Sequence, residues 1–162
     1  MPRALSTLSF AALAASLWGC AAVSPVSTGM DEMAVQGRMG KPETVRKSSD
    51  GSQVWEYPGG PLGRQTYMVT IGSDHAVKNI RQVMSEPYFS QVKAGMSRDE
   101  VRQLLGKPGE ISVFRIRDEE VWTWRYYLQG NPMFFNVMFD RSAGAVRTTL
   151  RQEEILFLDQ AC

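Results

Sequence analysis

Two kinds of hydrophobic pattern alternate along the chain. Val101, Leu104 and Leu105 share one helical face, and the segments that follow alternate apolar and polar residues with a period of two. Ser97-Arg98-Asp99-Glu100 has the form of a capping box, with Met96 and Val101 at the positions of a hydrophobic staple. Gly106 can take a left-handed backbone and Pro108 forbids continuation, so a short helix is predicted near Arg98–Leu105. A second short helix is predicted over 85–94, with Phe89 and Val92 inward and Gly95 ending it. Strands are predicted over 43–47, 53–57, 64–71, 75–84, 110–117, 120–128, 133–140 and 145–152, separated by turn residues such as Ser49-Asp50-Gly51-Ser52 and Gly72-Ser73-Asp74. Trp122, Trp124 and Tyr126 alternate with Thr123 and Arg125, so one face of that strand carries the aromatics.

The pattern occurs twice. Gly29-Met30 and Gly40-Lys41-Pro42 recur as Gly95-Met96 and Gly106-Lys107-Pro108, a shift of 66 (95 − 29), and six of the fourteen positions from Gly29 to Pro42 are identical. Trp55 and Tyr57 match Trp122 and Trp124 at a shift of 67. Tyr67, Val69 and Ile71 match Phe135, Val137 and Phe139 at 68. A slow drift of this kind is what a duplicated fold accumulates through one-residue loop insertions. The first copy has Asp31 as its helix cap but Ala34 at the box glutamate, and Gly37 weakens its helix by up to about 1 kcal/mol against alanine. Helical patterns followed by period-2 patterns, twice over, predict an α+β fold: two tandem repeats, each a short helical pair on an antiparallel sheet of three to four strands. The expected division is 1–19, 20–28, repeat one at 29–84, repeat two at 85–152, and a tail or edge strand at 153–162.

Composition narrows the function classes. The 162 residues are 43% apolar and carry a formal net charge of +1, so the chain is predicted to fold and lacks the basic excess of a general nucleic-acid binder. One histidine and two cysteines exclude a Cys/His zinc cluster within the chain and a disulfide scaffold. Residues 4–17 are apolar or small, too few for a span of about 20 residues but suited to a secretory signal. That run ends in Leu17-Trp18-Gly19-Cys20, which resembles a lipobox. The resemblance implies cleavage before Cys20, a diacylglyceryl thioether on its sulfur and fatty acyl chains such as palmitate. An ordinary signal peptide with a chance cysteine, or an apolar helix of the fold, is the plainer alternative. Ala21, in place of an aspartate, favours the periplasmic face of the outer membrane, with outer-membrane lipid as the first partner.

Phe89-x-x-Val92-x-x-Gly95-Met96-Ser97-x-x-Glu100-Val101, then Leu105-Gly106-x-Pro108, Trp122-x-Trp124 and Val137-x-Phe139-Asp140, resemble the SmpA/OmlA (BamE-like) outer-membrane lipoproteins. The tandem form is also similar to β-lactamase-inhibitor-protein modules. Two features depart from the BamE-like pattern: only eight residues separate Cys20 from Gly29, and the signature is duplicated.

No catalytic constellation emerges. His75 stands beside Asp74 in a predicted turn, without a nucleophile elbow. Gly59-Gly60-Pro61-Leu62-Gly63-Arg64 lacks the ending of a phosphate loop. No cofactor and no metal is expected. Trp122, Trp124, Arg125 and Tyr126 admit two readings: core between sheet and helices, or a partner-binding face of aromatic anchors with arginine. Cys162 has either a free thiol or an intermolecular disulfide. The expectation is a non-enzymatic accessory factor of envelope or outer-membrane protein assembly, bound to an envelope protein. The alternative is an inhibitor-like protein- or ligand-binding module, and an unrecognised envelope enzyme is the third.

Overall fold

Ser97 caps its helix as the sequence predicts. Its hydroxyl accepts the Glu100 N–H at 3.3 Å, and the Glu100 carboxylate accepts the Ser97 N–H at 2.7 Å. In the computed structural model, which describes residues 26–59 and 63–154, this is helix α3, Arg98–Leu105. Two others are present among the described residues: α1, Glu32–Met39, capped by Asp31, and α2, Glu86–Phe89. The strands are β1 Thr44–Lys47, β2 Gln53–Gly59, β3 Gln65–Ile71, β4 Val77–Gln82, β5 Glu110–Phe114, β6 Glu119–Leu128, β7 Asn131–Asp140 and β8 Ala145–Glu153. They form two four-stranded antiparallel sheets, β1-β2-β3-β4 and β5-β6-β7-β8.

The expected α+β class is overturned. The described residues are mostly β, and their helices are small. The helix predicted over 85–94 shrinks to one turn because the Pro87 carbonyl is taken by the Ser90 hydroxyl at 3.2 Å and the Gln91 amide at 2.7 Å. Side chains that capture this acceptor compete with continuation of the helix. Repeat one shows a single helix among the described residues, and the first helix of repeat two is one turn long, so the expected fold of a helical pair on each sheet is not formed. Residues 110–117 also divide, into β5 and a 3₁₀ turn at Arg115–Arg117.

The duplication is visible bond by bond. Gly29 N–H donates to the Val77 carbonyl and Val77 N–H to the Met30 carbonyl, just as Gly95 donates to Val146 and Val146 to Met96, all at 2.8 Å. Each third strand slips register at the matching place, Thr70/Ile71 and Met138/Phe139. The indole N–H of Trp55 meets Gln53 at 3.0 Å, and that of Trp122 meets Glu120 at 2.6 Å.

The two sheets bury their aromatic faces differently. Trp55, Tyr57, Val69 and Ile71 form one cluster with Val26, Val35 and Val77. Met68 and Val54, on the opposite face of that sheet, join the larger cluster with Phe89, Val101, Leu105, Trp122, Trp124, Phe135 and Phe139. The second repeat therefore packs against the back of the first sheet. At that seam Glu56 is 0% exposed; it accepts the Lys107 N–H at 2.6 Å and pairs with Arg46 at 3.2 Å. The Lys107 ammonium adds an ion pair with Glu43.

Candidate functional site

Trp122, Trp124 and Tyr126 lie in the core. Trp124 is 2% exposed, and Trp122 and Tyr126 are buried beside it. Phe89 explains part of that burial: it stacks on Phe135 at 4.2 Å and meets Tyr126 edge-on at 4.7 Å. These three aromatics present no surface to a partner. Arg125, of opposite parity on β6, points to the other face and is exposed. Cys20 and Cys162 lie outside the described residues.

Burial and the neighbouring Glu86 charge push the Tyr126 hydroxyl up to about 12; burial alone does the same for Tyr57. A free tyrosine ionises near 10, so the unfolded chain releases these protons two pH steps before the folded one. Stability from both groups is complete below pH 10 and lost as pH rises through 12. Denaturant midpoints measured from pH 9 to 12 are expected to fall across that window. The fall should shrink in the Tyr57→Phe/Tyr126→Phe double variant.

The face of the second sheet that carries Arg125 is the candidate site. Along it, Val121, Phe134 and Met138 are half-buried, Thr123 and Asn136 share a 2.7 Å hydrogen bond, and Leu150, Tyr127 and Phe114 are exposed. Arginines frame it. Arg125 lies over Phe134 at 5.5 Å and pairs with Glu154 at 3.2 Å. Arg64, only 3% exposed, lies over Tyr127 at 4.8 Å and meets the same carboxylate at 2.5 Å. At the other end, Arg117 lies over Phe114 at 4.7 Å beside a fully exposed Ile116. The corresponding face of the first sheet is the one that carries Glu56 and Met68 and is covered by repeat two.

Sequence reasoning placed Arg125 and missed the rest of this surface. Its signal was present, since Val121, Thr123 and Arg125 alternate with the tryptophans, but the aromatics drew attention to the side that is buried. His75, in a left-handed turn (φ 61°), stands 3.1 Å from Glu32 and is well exposed. No cluster of three or more potential metal ligands occurs among the described residues.

No protein-family model matches the chain, and no curated protein matches it. Solved structures do. One, described as the osmotically inducible lipoprotein OsmE, is 26% identical over 43% of this chain and 72% of its own, with a TM-score of 0.38. A Streptococcus mutans protein described as a β-lactamase inhibitor protein is 13% identical over 78% of this chain and 84% of its own, at 0.35. A DUF4309 family protein, YjgB of Bacillus subtilis, is 12% identical over 76% and 78%, at 0.29. The SmpA/OmlA resemblance rests on the sequence motifs alone. No helix among the described residues is long and apolar enough to cross a membrane.

Proposed function

We propose that this chain is a non-enzymatic binding protein of the bacterial envelope, tethered through lipidated Cys20 to the periplasmic face of the outer membrane. Its partner is an envelope protein, and the outer-membrane assembly machinery is the first candidate by resemblance. The observation that carries the reading is the Arg125 face of the second sheet. It combines exposed Tyr127, Leu150 and Phe114 with framing arginines, the side-chain types that anchor protein interfaces. The equivalent face of the first sheet is already occupied by a protein surface, that of repeat two.

A photo-crosslinking residue at Arg125 or Leu150, introduced in cells, is expected to capture an outer-membrane or periplasmic protein. The same residue at Lys78, an exposed position on β4, should capture none. Cys20→Ser should abolish fatty-acid labelling and weaken the adduct, because serine offers no sulfur for the thioether and the acyl chains supply the anchoring. Deletion should sensitise cells to detergent. Equal capture at all three positions would remove the basis for this face. Inhibition of a hydrolase by the purified protein, with the envelope barrier intact on deletion, would favour the inhibitor-like role instead.

A further inference from the structure

A second surface, at the seam between the first sheet and α3, carries chemistry that the binding role does not use. Arg46, Lys47, Ser48, Val54, Arg81 and Gln103 line a cleft of about 360 Å³. That size is within the range of small-molecule sites. Three of the six lining residues are cationic and none is acidic. The nearby carboxylate of Glu56 is fully buried and already shared between Arg46 and the Lys107 N–H. The buried Nε–H of Arg81 has no hydrogen-bond partner. A buried donor without an acceptor carries a desolvation cost that an acceptor oxygen would relieve.

The second repeat shows that the fold does not require these cations. Arg46 stands opposite Val54 as Ser112 stands opposite Val121. Lys47 stands opposite Gln53 as Val113 stands opposite Glu120. Arg81 stands opposite Met68 as Leu150 stands opposite Asn136. The same sheet is thus built with serine, valine and leucine at the three places.

We propose that this cleft binds a phosphate monoester. The Arg81 guanidinium offers a planar pair of donors matched to phosphate oxygens. Arg46 adds the N–H groups that Glu56 and Met68 leave unused, and Lys47, next along β1, adds a third positive charge at the rim toward a dianion. The Ser48 hydroxyl and Gln103 amide add neutral hydrogen-bonding groups to the same wall.

The test titrates glycerol 3-phosphate into the purified full chain at constant ionic strength and follows Tm. A saturable rise, larger than with equimolar added chloride, is expected. The double variant Lys47→Val/Arg81→Leu, which installs the residues of repeat two, should weaken binding by about tenfold or more and keep its circular dichroism spectrum. Lys47→Val alone, at an exposed position, should weaken it less and serves if the double variant does not fold. Vesicles of phosphatidic acid against phosphatidylcholine identify the source. Sedimentation with the first that depends on Lys47 and Arg81 assigns a lipid headgroup, and binding of the soluble ester alone assigns a free metabolite. Absence of both, or titrations unchanged in the variants, overturns the proposal. An acidic peptide that binds the cleft where the phosphate ester does not overturns it too.

Discussion

Gly106→Ala is expected to destabilise the protein far more than Gly40→Ala, although the two glycines are copies of one motif and share one backbone conformation. Gly40 has φ 79° and ψ −165°, and Gly106 has φ 80° and ψ −165°. That region is essentially reserved for glycine, so each substitution costs about 1–3 kcal/mol in strain. A Cβ at Gly40 would meet nothing within 4 Å. One at Gly106 would stand 2.7 Å from Glu56 Oε1 and 2.9 Å from Met68 Cε. The methionine end can swing aside. The glutamate cannot move cheaply, because it is buried and holds both the Lys107 N–H and Arg46. Displacing it strands a buried charge and a buried donor together. Overpacking adds roughly 1–3 kcal/mol to the strain. Equilibrium urea unfolding of both variants checks the difference. Equal losses would mean that the seam yields and that Glu56 does not lock the two repeats together.

The seam also shows where sequence reasoning stopped. The helix Arg98–Leu105 was legible because its signals are local: a serine and a glutamate three residues apart, a staple, and a glycine followed by proline. Pairing β1 with β2 was legible for the same reason, since a short turn of serine, aspartate and glycine marks a hairpin. Glu56 was not legible. On an alternating strand a glutamate reads as the solvated side, and only the arrival of repeat two, 51 residues away in sequence, buries it. The fold class failed on a short-range detail. Apolar residues at 89 and 92 suit a helical face, but the capture of the Pro87 carbonyl by Ser90 and Gln91 halts the helix after one turn. The aromatic strand was legible as two-faced, and its sequence left open which face is covered. The structure gives the tryptophans to the core and leaves Arg125 outside.

Phe89→Ala is expected to cost about 3–5 kcal/mol, the range for truncating a fully buried aromatic. Phe89 is 1% exposed, and it is the only buried residue of α2. A four-residue helix cannot sustain itself, because nucleation fixes several dihedral angles for one hydrogen bond. The side chain therefore holds the turn, through its stacking on Phe135 and its edge contact with Tyr126. Aromatic pairs of this kind contribute about 0.5–1.5 kcal/mol beyond area burial. Truncation would empty the volume between those two rings and free Glu86, which now accepts a hydrogen bond from the Tyr126 hydroxyl at 3.2 Å and pairs with Arg151 at 2.9 Å. Exposure of the α2 amides should follow, so hydrogen exchange at residues 88–92 is expected to approach that of the unfolded chain. Phe89→Leu keeps most of the volume and loses the ring contacts, and should fall between the two. A variant that loses less than about 1 kcal/mol would mean that α2 is held by its polar contacts instead.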